Sequence, residues 1–128
     1  MKAVGVTPSQ REVGILDHST PELHQDDEVI IRTLDVGICG TDREICTFVY
    51  GDPPAGSDYL VLGHEAMGEV VEVGAGVQNL KAGDFVVPSV RRPCTDENCL
   101  PCKQGLQDFC SNGNYVERGI KECHGFMT

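Results

Sequence analysis

The chain has no Trp, and aromatic residues make up only 5% of its 128 positions, so the core must be aliphatic, built on Val, Ile and Leu. Basic residues are scarce too: four Lys and six Arg stand against twenty acidic residues, a formal charge of −10. Such a surface repels phosphate backbones and anionic bilayers, which argues against nucleic acid and membrane as partners. No run of eighteen apolar residues occurs, and the opening MKAVGVTPSQ lacks the apolar stretch of a signal peptide. Seven cysteines cannot all pair within one chain, so metal-bound and free thiols in a cytoplasmic protein are the expectation. Nor is there a G-x-G-x-x-G opening a helix after a strand, so no dinucleotide site is expected within these residues.

What is present reads as β structure. Fifteen Gly and seven Pro interrupt Val-rich runs, a pattern of short strands and turns within one domain. Strands are expected at Lys2–Val6 and Glu12–Leu16 as a hairpin, at Glu28–Ile38, at Glu69–Val73 and at Phe85–Val87, with a further strand opening at Gly125–Thr128. Glu28–Ile38 is apolar on both faces, which predicts a central position in its sheet. Thr41-Asp42 predicts the start of a short helix to about Thr47, capped by one of those two side chains, and a helical turn is expected around Lys103–Leu106. His18 and His24 fall in a polar stretch and read as solvated loop residues. The sum is a small, mostly antiparallel β structure with one inserted lobe.

That lobe is Arg91–Cys110, RRPCTDENCLPCKQGLQDFC, with thiols at Cys94, Cys99, Cys102 and Cys110 separated by four, two and seven residues. Thiolates so close, on a segment bent by Pro93, Pro101 and Gly105, can converge on one tetrahedral ion, and zinc is the usual occupant of an all-sulfur site. A disulfide-stapled loop is the competing reading. A second constellation is Cys39 and His64, each just past a glycine where a strand should end, with Glu65 adjacent as a third or transient ligand. Thiol, imidazole and an open position describe a catalytic zinc site. On residue type alone, however, a buried Cys and a buried His are more often core residues than ligands.

GICGTD at 37–42, GHEAMGEVVEVGAGVQNLKAGDFVVP at 63–88 and the cysteine lobe, in this order, resemble the zinc-containing medium-chain alcohol dehydrogenases. The resemblance implies a mainly β, GroES-like β-barrel with short helices and an inserted structural-zinc lobe at 91–110, the whole of 1–128 being the N-terminal part of a catalytic domain. It implies that Cys39 and His64 ligate a catalytic zinc, with Glu65 close enough to ligate in some states, and that Cys94, Cys99, Cys102 and Cys110 ligate a structural one. Thr41 matches the hydroxyl residue that passes the substrate proton towards solvent, and Asp42 the carboxylate that holds the ligating histidine. One departure is the four-residue gap at Thr95–Asn98, where the family usually has two; Arg91-Arg92 still sets Cys94 in the first position.

Within the family, MKAVGV, GTDREI, LVLGHEAMG, VRRP, ERGI at 117–120 and HGFM at 124–127 resemble glucose 1-dehydrogenases typical of archaea. Thr41 and Glu117 then match residues that hydrogen-bond the sugar. The implied reaction is oxidation of glucose or a related aldose at C1 by hydride transfer to NADP or NAD, with zinc as Lewis acid. The family's remaining zinc ligand and its nucleotide-binding domain are expected beyond Thr128, so these residues alone are expected not to turn over; the full-length form is expected to be a homo-oligomer. Cys46 and Cys123 match no ligand and read as free thiols. Three rivals are a sorbitol, threonine or simple alcohol dehydrogenase, a zinc ribbon opposed by the charge balance, and a non-catalytic interaction barrel that leaves Cys39, His64 and the lobe unexplained.

Overall fold

The computed structural model describes residues 1–128. Its organising stretch is Leu60–His64, five consecutive buried residues. An apolar run this short, followed by Gly63, cannot be a helix; it leaves one sheet and enters the next. The first sheet pairs β1 (Lys2–Thr7) with β2 (Glu12–Asp17) as the expected hairpin, Lys2 opposite Asp17 and Thr7 opposite Glu12, and adds β4 (Leu60–Val61) on the other side of β1. The second has the order β3 (Val29–Gly37), β5 (Glu65–Val73), β6 (Phe85–Val86), all antiparallel. The third joins β7 (Arg91–Arg92), β8 (Val116–Arg118) and β9 (Glu122–Cys123), with β8 and β9 parallel. Two short helices, α1 (Gly40–Cys46) and α2 (Leu100–Lys103), complete the chain, with a single 3-10 turn at Gln107–Phe109.

Three expectations change. β3 lies at the edge of its sheet, not at the centre, and β5 takes the interior place. The β3–β5 ladder slips register at Ile30/Ile31 and between Thr33 and Asp35, so Leu34 has no partner and is 43% exposed beside exposed Arg32 and Asp35. The bulges break the two-faced apolar pattern that made the strand look central. Second, Gly125–Thr128 makes no regular strand, although Gly125 and Met127 donate to the carbonyls of Val61 and Leu62 and Met127 accepts from Val4. Third, the helical turn comes earlier than Lys103–Leu106, at Leu100–Lys103, because Pro101 suits the first turn of a helix.

The core is as aliphatic as the composition requires: Val6, Ile45, Leu60, Leu62 and Ile120 cluster, with Cys46, Phe48, Val90 and Met127 packed against them. Gly63 is the hinge. Its φ of +92° lies in the left-handed region, and a Cβ there would come within 2.9 Å of Met127 Cγ. Gly119, at φ +70°, presses on the same point, where a Cβ would lie 2.5 Å from the Gly63 oxygen. The third sheet is thereby seated against the turn that precedes His64.

His18 is not a free loop residue. Its Nδ1 lies 2.9 Å from the Tyr59 hydroxyl, and its ring packs edge-on to His124 at 4.7 Å. His124 stacks on Tyr59, and its Nδ1 accepts the Val61 N–H at 3.1 Å, which requires the neutral ring. Burial first, and then the neighbouring positive groups, hold both histidines below the ordinary 6.5. A base whose folded pKa is depressed stabilises the fold above its unfolded value, and that contribution is lost as the pH falls through 6.5 and on through the folded value. The stability difference between the native chain and His124→Gln should therefore shrink between about pH 7.5 and pH 5 in urea titrations. A difference that is constant or grows on acidification would count against the arrangement.

Candidate metal centres

The first centre begins at the end of β3. The chain leaves the sheet at Gly37 and turns into α1, and the residue that caps this helix is Cys39, not Thr41 or Asp42 as the sequence suggests. Its sulfur accepts the Thr41 N–H at 3.3 Å, while the Asp42 Oδ2 accepts the Cys39 N–H at 2.8 Å, a reciprocal box with a thiol in the usual hydroxyl position. The cap fixes the direction of the sulfur and places Asp42, 4% exposed, behind it.

His64 arrives from the other side, carried by the buried turn at Gly63. Its Nε2 lies 3.2 Å from Cys39 Sγ and 4.0 Å from Glu65 Oε1. The donor atoms of Cys39, His64 and Glu65 all fall within 4.8 Å of one another, so two elements 25 residues apart converge on one point. On the far side of the ring, His64 Nδ1 faces Asp42 Oδ1 at 3.5 Å, and these two buried atoms have no other hydrogen-bond partner. Two orphaned buried polar atoms facing each other are costly unless they close to a hydrogen bond. Ligation at Nε2 fixes the proton on Nδ1, where Asp42 can receive it. A thiol, an imidazole and a half-exposed carboxylate fit a metal that keeps one position open.

The second centre is closed. The sulfurs of Cys94, Cys99, Cys102 and Cys110 all lie within 4.8 Å of one another, none is in a disulfide, and Cys99 and Cys102 are buried. Cys99 and Cys110 are 3.8 Å apart, which is about the edge of a tetrahedron with metal–sulfur bonds of about 2.3 Å. The four-residue gap at Thr95–Asn98 is absorbed by a turn in which Asp96 accepts from the Asn98 and Asn112 N–H groups. Backbone N–H groups, that of Ser111 first, pull the Cys99 thiol down to about 6, and burial pushes Cys102 up to about 12. A bound cation would displace the remaining thiol protons.

Glu117 is not among these donors. It is 7% exposed on β8, and its Oε1 accepts from both Nε and Nη2 of Arg91 at 3.1 and 2.7 Å. Thr41 is half-buried two residues beyond Cys39. The sequence does not announce Arg91 as Glu117's partner, the Cys39 cap or the His18–Tyr59–His124 cluster. Only Arg91 carried a signal, its fixed place before Cys94.

The alcohol dehydrogenase GroES-like domain family matches residues 25–128. The chain belongs to this family. Among curated relatives, glucose 1-dehydrogenase 2 of Vulcanisaeta moutnovskia is 48% identical over 127 residues, covering 98% of this chain and 34% of that protein. Glucose 1-dehydrogenase of Methanocella arvoryzae is 43% identical over 129 residues, covering 100% and 35%. The structure of Haloferax mediterranei glucose dehydrogenase in complex with NADP, Zn and gluconolactone superposes with a TM-score of 0.84 at 38% identity, covering 100% of this chain and 35% of that one. The chain thus spans about a third of the length of these relatives.

Removing one sulfur from the closed set should abolish it. Cys102→Ser is expected to lose one zinc per chain by elemental analysis and to melt roughly 10 °C lower, the shift that about 2–3 kcal/mol produces in a domain of this size. Cys46→Ser, outside both sets, should keep its full zinc content. Equal zinc in the native chain and Cys102→Ser would exclude the four-sulfur site.

Proposed function

We propose that this chain is the N-terminal catalytic-domain segment of a zinc-dependent NAD(P) dehydrogenase that oxidises glucose or a related aldose at C1. The observation that carries the reading is the convergence of Cys39, His64 and Glu65 on one point, with Asp42 behind the imidazole. The similarity to glucose dehydrogenases over the whole chain supports the sugar as substrate. When bound, zinc would supply a Lewis acid at the open site and the nicotinamide an acceptor for hydride.

The chain's own residues then have separable roles. Cys39, His64 and Glu65 hold the catalytic ion, and Cys94, Cys99, Cys102 and Cys110 hold the structural one. Asp42 keeps the His64 ring in one orientation and its proton on Nδ1. Thr41, whose N–H meets the Cys39 sulfur at 3.3 Å, binds the sugar hydroxyl and passes its proton outward. Glu117 accepts a hydrogen bond from another hydroxyl of the sugar, a role suited to a polyhydroxylated substrate and of no use to an apolar alcohol.

The nucleotide would be held mainly by residues outside this chain, as would a further zinc ligand. A homo-oligomer in the cytoplasm is the state we propose for the complete enzyme; none of the helices here is long and apolar enough to cross a membrane. The 128-residue chain is accordingly expected to produce no NADH or NADPH from glucose, followed as absorbance at saturating NAD or NADP. The complete enzyme should oxidise glucose in preference to a simple primary alcohol. Turnover by the isolated chain, or a preference for the apolar alcohol, would sink the proposal.

A further inference from the structure

We propose that Arg91 is a positioning residue: it fixes Glu117 for sugar recognition and ties its placement to the four-cysteine lobe. The recognition part rests on the sugar-dehydrogenase reading above; the positioning part stands on geometry alone.

Arginine and carboxylate frequently meet fork to fork, two N–H groups on two oxygens. Here Nε and Nη2 both point at Oε1, at 3.1 and 2.7 Å, and no protein hydrogen bond reaches Oε2. The third arm, Nη1, turns away to Asp108 Oδ1 at 3.1 Å. Glu117 is therefore held by one oxygen, with the other left free in a residue that is 7% exposed. A carboxylate so placed has one acceptor to offer a ligand hydroxyl, in a direction set by its partner.

The partner is itself set by the lobe. Asp108 lies in the 3-10 turn Gln107–Phe109, between the ligating positions Cys102 and Cys110, and Gln107 Nε2 donates to the Arg91 carbonyl at 3.2 Å. Arg91 and Glu117 face each other across the β7–β8 ladder, and the guanidinium lies over the Tyr115 ring at 4.2 Å. Two residues past Glu117, Gly119 presses on Gly63, the turn that delivers His64. A closed, non-reacting lobe thus reaches the substrate side of the molecule through one guanidinium.

The test uses the side-chain carboxyl resonance of Glu117 in the ¹³C-glutamate-labelled, zinc-loaded chain, assigned by its loss in Glu117→Gln. Arg91→Gln should move this resonance, Arg91→Lys should restore it only in part, and Cys102→Ser should move it in the same direction while Cys46→Ser leaves it in place. A resonance that ignores Arg91→Gln overturns the positioning, whatever the enzyme's substrate. In the complete enzyme, Arg91→Lys should raise KM for glucose roughly tenfold, the loss of about one charge-assisted hydrogen bond, with kcat within about twofold and KM for a simple alcohol unchanged. A resonance that moves in both Arg91→Gln and Cys102→Ser, with an unchanged KM for glucose, would retain the link to the lobe and overturn the sugar-recognition part.

Discussion

Burying Leu60–His64 obliges the fold to satisfy a continuous stretch of backbone that water cannot reach. Every neighbour is recruited to this. β1 pairs with Leu60 and Val61, Val4 accepts from the Leu62 N–H, and Gly125, Phe126 and Met127 donate to the carbonyls of Val61, Gly63 and Leu62. The His124 ring takes the Val61 N–H. Segments far apart in sequence are drawn to one line, and the line ends at His64. The ring is therefore positioned by backbone accounting as much as by side-chain packing.

The two candidate metal centres answer different physical problems. The lobe has little apolar substance: Leu100, Leu106 and Phe109 are 67%, 50% and 72% exposed, so packing alone cannot hold it. A zinc ion held by the four convergent sulfurs would replace the missing core, since zinc bound by small peptides contributes roughly 10–16 kcal/mol. The other centre needs no such support. It is assembled from a helix cap and a buried turn that the fold already fixes, which leaves the Glu65 carboxylate side open to solvent. On the proposed reading, substrate enters only where a ligand position stays open, which places the loudest motif in the chain away from the reaction.

Local spacing made part of this legible. The four lobe cysteines fall within seventeen residues, and their meeting in space follows from Pro101 and the short gaps. The hairpin β1–β2 and the helix after Gly37 were readable for the same reason. Three things were not. A thiol is a weak acceptor, so Cys39 gave no capping signal beside Thr41 and Asp42. The bulges that move β3 to an edge depend on its pairing with β5, not on its own alternation. The contacts of His18 with Tyr59 and of Val61 with His124 span 41 and 63 residues, and no local pattern announces them. Glu117 was singled out by family likeness; that one of its oxygens is held and the other free is visible only in the folded chain.

The division into a closed structural site and an open catalytic one is tested most directly by counting zinc ions on the intact chain by native mass spectrometry. Two per native chain are expected, with one remaining in His64→Ala. A single ion that survives His64→Ala would show that Cys39, His64 and Glu65 form no metal site, and a chain that holds none would contradict both centres.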